Sequence, residues 1–82
     1  MVGCYLIMFA RFEHKDSIRH LRKVMVKSGF SGIAGNKGSV AIRFNFEDTS
    51  FAVINVHMAA GSDQKALAER LENVRKIYND TF

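Results

Sequence analysis

Four side chains in the middle of the sequence have the chemistry to bind and transfer a phosphate group. Asn36 and Lys37 stand in a short loop bounded by glycines, and Asn55 and His57 close an apolar stretch farther along. An amide and an ammonium are hydrogen-bond donors suited to phosphate oxygens, and the exposed N–H groups of a glycine loop add further donors. A histidine can donate a proton or a hydrogen bond to a phosphoryl oxygen. These residue types predict a phosphate site, provided that the fold brings the two segments together.

Two predicted strands would bring them together. Residues 39–46 alternate between polar and apolar side chains, which is typical of a half-buried strand. Residues 51–57 are apolar until Asn55, and the polar residues 47–50 between the two stretches favour an antiparallel hairpin. In such a hairpin the start of the first strand lies beside the end of the second. We therefore expect the loop pair and the strand-end pair to be neighbours.

The same two stretches carry motifs of a known family. GNKGSVAIRF at 35–44, a polar turn, an apolar strand ending in NVHMAAG at 55–61, and a helix containing Glu69-Arg70 resemble the inositol polyphosphate 5-phosphatases, members of the endonuclease/exonuclease/phosphatase superfamily. The resemblance covers nearly all of the 82 residues. It implies an α/β fold that is part of a DNase I-like α/β sandwich, in which a mainly antiparallel sheet is faced by helices.

The resemblance also implies a role for each polar residue. His57 would contact the scissile phosphate and assist in-line attack by water, with Asn55 as a supporting residue of the catalytic site. Asn36 and Lys37 would bind and neutralise the substrate phosphate. The implied reaction is magnesium-dependent hydrolysis of the 5-phosphate of inositol phosphates or phosphoinositides, in which a divalent cation and positioned donors supply most of the stabilisation.

The sequence departs from the family pattern mainly in what it lacks. The family's metal-binding glutamate precedes this region and its G-D-x-N and S-D-H motifs follow it, and none of the three occurs here. Milder departures are Val56, where serine or cysteine is usual, and Met58 in place of leucine. We therefore expect residues 1–82 to be an internal fragment of a single 5-phosphatase-like catalytic domain. The fragment alone should be inactive, with the Mg²⁺ ligands outside it.

Composition is compatible with a small globular domain that meets an anionic partner. Hydrophobic residues make up 48% of the chain, which excludes a disordered tail, and no apolar run approaches the length of a membrane-spanning helix. A single cysteine and no recognisable secretory signal favour the cytoplasm. Residues 1–43 carry eight basic and two acidic side chains, a net charge of +6, whereas the remainder has a net charge of −2. A basic half indicates a phosphorylated headgroup, an acidic membrane surface or nucleic acid as partner.

The other elements are predicted from their patterns. The apolar run 2–9 predicts a strand buried on both faces, residues 18–21 a single helical turn, and 24–26 an edge strand, which makes about four strands with one helix. Ser62 is expected to cap that helix. Along it, a stripe spaced by helical turns would face the sheet, and Glu72 would pair with Lys76. The stripe comprises Leu67, Leu71, Val74 and Tyr78.

The glycine-punctuated loop 28–35 contains two apolar side chains, Phe30 and Ile33. They either tuck back under the loop or insert into a lipid surface beside the active site, as the equivalent loop of the 5-phosphatases is thought to do. The basic neighbours Lys27 and Lys37 favour contact with an anionic membrane. We therefore predict a protein that is peripheral at cytoplasmic membranes.

Two alternative functions remain open at this point. One is a nuclease-type member of the same superfamily, in which the basic half would follow a nucleic-acid backbone. The other is a non-catalytic module that binds phosphoinositide or membrane. A Walker phosphate loop is disfavoured, because its lysine follows the last glycine and a helix comes next, whereas here Lys37 precedes Gly38 and a strand follows. The oligomeric state and the inositol ring substrate have no signature in this sequence.

Overall fold

In the part of the chain that the structure describes, the fold is a three-stranded antiparallel sheet with one α-helix on one of its faces. A computed structural model describes residues 3–29 and 34–82, with residues 34–36 described by their backbone alone. A 3₁₀ helix (Phe12–Ser17) precedes strands β1 (Ile18–Gly29), β2 (Ala34–Phe46) and β3 (Thr49–His57), and helix α1 (Gln64–Asp80) follows. The strand order is β1-β2-β3. The α/β class and the antiparallel sheet are as predicted, but the described residues form three strands rather than four.

Strands β2 and β3 form the predicted hairpin, with a tighter turn than expected. Phe46 pairs with Thr49, so only Glu47 and Asp48 lie in the turn, where a loop of four residues was predicted. Glu47 has a positive φ of 54°, as the first central position of a tight hairpin turn often requires. Because the turn is short and β2 and β3 pair without an irregularity, the register at the far end of the hairpin is well defined.

The two faces of the sheet differ in their covering. One face, here called the helix face, lies under α1 and contains the buried residues Val26, Ser39 and Ala41. The other, here called the open face, contains the alternating residues Val40, Ile42 and Phe44, which are only half-buried. The large apolar side chains of β2 are therefore less buried than the small residues of the helix face. The small residues are more buried because they allow α1 to approach the sheet closely.

The apolar run at the start of the chain is not a strand in the residues described, 3–9. Tyr5 is 75% and Phe9 89% exposed, and Cys4 is buried. The segment crosses the open face instead: the Asn55 amide donates to the Tyr5 carbonyl at 2.8 Å, and the Cys4 thiol contacts the Asn55 carbonyl at 3.8 Å. A doubly buried strand needs paired neighbours on both sides, and none of the described strands pairs with this run.

The predicted helical turn at 18–21 is also wrong. These residues begin β1, and the helical turn lies earlier, at Phe12–Ser17. A register shift between Arg19 and Arg22 marks a bulge, where His20 has a positive φ of 57°. The bulge interrupts the period-two pattern that identifies a strand in a sequence. The edge strand predicted at 24–26 is confirmed as the centre of β1.

Helix α1 begins one residue later than predicted. The N-cap is Asp63, not Ser62, and its carboxylate accepts a hydrogen bond from the Ala66 N–H at 2.8 Å. The predicted apolar stripe is exposed, from 44% at Leu67 to 82% at Tyr78. The buried helix residues are instead Ala66, Asn73 and Ile77.

The predicted ion pair within α1 is replaced by two others. Glu72 pairs with Arg75 at 2.8 Å, and Lys76 pairs with Asp80 at 2.6 Å. All four side chains are well exposed, so each pair contributes little to stability.

Candidate functional site

The candidate site lies where β2 begins and β3 ends. Gly38 pairs with His57 across the hairpin, and the Lys37 ammonium nitrogen lies 3.4 Å from His57 Nε2. Gly38 has a positive φ of 141°, a conformation that favours glycine and interrupts the regular alternation of β2. The hairpin thus brings Lys37 and His57 together, as the sequence predicted.

The Lys37–His57 pair presents two donors at an exposed edge. When Nε2 carries no proton it accepts a hydrogen bond from the ammonium; when it is protonated, both groups are donors. A phosphate oxygen placed between them could accept from both. Because His57 is exposed, the pair is accessible to a ligand from solution.

Asn55 lies on the same face, two residues before His57, but its amide is already engaged. It pairs with Val40 in the ladder, and its side-chain Nδ2 donates to the Tyr5 carbonyl. This bond ties the segment around Tyr5 to the strand that carries His57. The described hydrogen bond of the Asn55 side chain is therefore made within the chain, and its role at a phosphate stays a prediction.

Two residues of α1, neither of them among the predicted site residues, bind the turn that follows His57. The Arg70 guanidinium donates from Nη1 to the carbonyls of Ala59 at 3.2 Å and Gly61 at 2.7 Å, and Asn73 Oδ1 accepts from the Ala59 N–H at 2.9 Å. Arg70 was visible as part of the Glu69-Arg70 motif. Asn73 had no signal in the sequence, because it does not belong to the apolar stripe that was predicted to face the sheet.

Comparison with protein families identifies the chain. The model of endonuclease/exonuclease/phosphatase family 2 matches residues 1–82. The chain belongs to this family.

The curated relatives agree with the resemblance to the 5-phosphatases that the motifs at 35–44 and 55–61 indicate. Synaptojanin-2 of Rattus norvegicus is 46% identical over 77 residues, which is 94% of this chain and 5% of the relative. Inositol-1,4,5-trisphosphate 5-phosphatase 1 of Schizosaccharomyces pombe is 35% identical over 92 residues, covering 100% of this chain and 9% of the relative. A phosphatidylinositol 4,5-bisphosphate 5-phosphatase of Saccharomyces cerevisiae is 36% identical over 78 residues, covering 95% and 7% respectively. The chain thus spans less than a tenth of the length of these family members.

The side chains of three predicted site residues lie outside the part of the chain that the structure describes. Asn36 belongs to β2, but only its backbone is described. Phe30 and Ile33 lie outside the described residues, so their contact with a membrane stays a prediction. Within 3–29 and 34–82, no helix is long and apolar enough to cross a bilayer.

A divalent cation needs several ligand side chains close together. Among the described residues, no three His, Cys, Asp or Glu side chains come together in a group that could hold a metal ion. The residues of this chain that the structure describes therefore do not fit a metal site of their own.

Proposed function

We propose that this chain is part of the catalytic site of a phosphoinositide 5-phosphatase, which hydrolyses the 5-phosphate of inositol phosphates or phosphoinositides. The observation that carries the proposal is the 3.4 Å approach of Lys37 Nζ to His57 Nε2 at an accessible strand end. Two relatives are named for removing a 5-phosphate, one from inositol 1,4,5-trisphosphate and one from phosphatidylinositol 4,5-bisphosphate. These names favour a phosphatase over the nuclease alternative.

In this proposal each group has a distinct task. His57 donates a hydrogen bond or proton to the scissile phosphate, and Lys37 neutralises its developing charge. Asn36 adds a donor to the same phosphate, and Asn55 holds the strand that carries His57. Magnesium dependence is part of the proposal, and the ligands of Mg²⁺ would lie outside this chain.

The proposal includes a peripheral position on cytoplasmic membranes. Residues 1–43 have a net charge of +6, and Phe30 and Ile33 stand in the sequence between the segments that form β1 and β2. A basic surface beside apolar side chains binds anionic lipid through charge attraction and shallow insertion. Such a surface would bring the site to a lipid-borne headgroup.

The test is phosphate release from phosphatidylinositol 4,5-bisphosphate, with and without Mg²⁺, by the longest natural protein that contains this chain. It is run on the wild type, on His57→Asn and on the control His20→Asn. Both histidines are exposed, and asparagine tolerates the positive φ of His20. We expect Mg²⁺-dependent release that falls roughly 100-fold or more in His57→Asn, the scale of a lost general acid, and stays near wild type in His20→Asn.

Other outcomes point to the alternatives. If the wild-type protein releases no phosphate but binds anionic vesicles, the result would support the non-catalytic membrane-binding module and contradict the phosphatase. Hydrolysis of oligonucleotides in place of phosphoinositide would establish the nuclease. Equal activity in wild type and His57→Asn would remove His57 from the chemistry.

A further inference from the structure

The turn that follows His57 is fastened to α1 at several points. Only Met58 separates His57 from Ala59, where the first of these contacts is made. The turn continues through Gly61 to the N-cap of the helix at Asp63. Its backbone therefore links the strand end that carries His57 to the first turns of α1.

Asn73 supplies one contact from the buried face of the helix. The residue is 8% exposed, and its Oδ1 accepts a hydrogen bond from the Ala59 N–H at 2.9 Å. A buried amide is costly unless it is hydrogen-bonded. The hydrogen bond that Asn73 Oδ1 accepts comes from the Ala59 N–H, so this buried side chain holds the turn at Ala59.

Arg70 supplies the second contact, one helical turn earlier. Its Nη1 donates to the carbonyls of Ala59 and Gly61 at 3.2 and 2.7 Å. Hydrogen bonds from a charged donor are stronger than those between neutral groups. No ion pair found among the described residues includes Arg70, so its recorded partners are the two carbonyls of the turn.

Gly61 shows how closely the turn approaches the helix. Its φ is +123°, and a Cβ at this position would lie 2.8 Å from the Cβ of Ala66. Any larger residue would require the turn to move away from α1. Hydrogen bonds therefore restrict the turn at Ala59 and Gly61, and close contact with α1 restricts it again at Gly61.

We propose that Arg70 and Asn73 are positioning residues for His57. They hold the backbone at Ala59 and Gly61, directly after the end of β3, and thereby fix the strand end whose His57 pairs with Gly38. This inference rests on the proposed function. His57 is exposed, so neighbouring side chains do not fix its ring by burial, and the direction of the strand end sets its distance from Lys37. Small displacements of a catalytic group lower turnover strongly, even when binding persists.

The test uses the longest natural protein and soluble inositol 1,4,5-trisphosphate, so that membrane binding does not enter the rate. Four variants are compared: Arg70→Ala, Asn73→Leu, Asn73→Asp and Ile77→Val. Asn73→Leu removes the acceptor at similar size, whereas Asn73→Asp keeps an oxygen for the Ala59 N–H. Ile77→Val weakens the buried face of the same helix and leaves the hydrogen bonds from Arg70 and Asn73 to the turn in place. Thermal unfolding of each variant sets an assay temperature at which all remain folded.

We expect Arg70→Ala and Asn73→Leu to lower kcat roughly 10- to 100-fold with KM within about twofold of wild type. Asn73→Asp should restore most of kcat, and Ile77→Val should leave it unchanged. Wild-type kcat in Asn73→Leu, an equal loss in Asn73→Asp, or an equal loss in Ile77→Val would overturn the positioning role. Such a result leaves the proposed function standing if His57→Asn is inactive. A wild-type protein that releases phosphate from neither inositol 1,4,5-trisphosphate nor phosphatidylinositol 4,5-bisphosphate would overturn both.

Discussion

At the scale of single residues, the candidate site depends on two side chains that contribute little to the fold. Lys37 and His57 meet at an exposed strand end, and exposed polar contacts add little to stability. Replacing either one should leave the protein folded. Activity measurements on these variants can therefore be interpreted as chemistry rather than as loss of structure.

Lys37 offers the sharpest residue-scale prediction after His57. Lys37→Met keeps the length of the side chain but removes the charge and the donors. We expect kcat/KM for inositol 1,4,5-trisphosphate to fall roughly 100-fold or more, because a donor aimed at developing phosphate charge is lost. The melting temperature should change by no more than a few degrees, as is usual for surface substitutions.

Lys76→Met is the matched control for this prediction. Lys76 lies in the last turns of α1, where it pairs with Asp80, and its loss also removes one positive charge. If both variants lose activity to the same extent, Lys37 acts only through overall charge. A role at the phosphate then has no support.

At the scale of elements, local patterns predicted the hairpin but not the orientation of the helix. The hairpin follows from period-two alternation and a polar turn, which are properties of adjacent residues. The buried face of α1 depends on how the helix lies over β1 and β2. Small strand residues such as Ser39 and Ala41 allow the helix to approach the sheet closely. The buried helix residues are Ala66, Asn73 and Ile77, and the larger apolar residues of α1 are exposed. Arg70 and Asn73 could not be predicted as contacts of the turn because that contact depends on the same packing.

The start of α1 gives an element-scale prediction that separates the sequence expectation from the structure. Asp63→Ala removes the carboxylate that accepts the Ala66 N–H. We expect a loss of about 1 kcal/mol in the free energy of unfolding, the usual value of an N-cap. Ser62→Ala should change it by a few tenths of that value at most. Urea unfolding of the two variants makes the comparison, and a larger loss in Ser62→Ala would show that the cap is Ser62.

At the scale of the whole molecule, much apolar surface has no cover within the described residues. β3 is the last strand of the sheet and is exposed along its length, including Phe51, Val53, Ile54 and Val56. The open face also contains an apolar hollow of about 450 Å³, lined in part by residues 4–6. An apolar sequence pattern records a preference for burial but does not identify the partner that would provide it, so it does not predict which of these residues stay exposed.

This surface leads to a prediction for the 82-residue chain in isolation. An exposed edge strand with apolar side chains pairs with other chains, so we expect concentration-dependent self-association in sedimentation velocity and strong binding of an apolar dye. Val53→Lys should reduce both, because it places a charge among the exposed apolar residues of β3. Ser50→Lys adds the same charge where β3 is already polar, and its effect should be smaller. The isolated chain should release no phosphate. A monomer that binds no dye, or equal effects of the two lysines, would show that β3 is not the surface through which the chain associates.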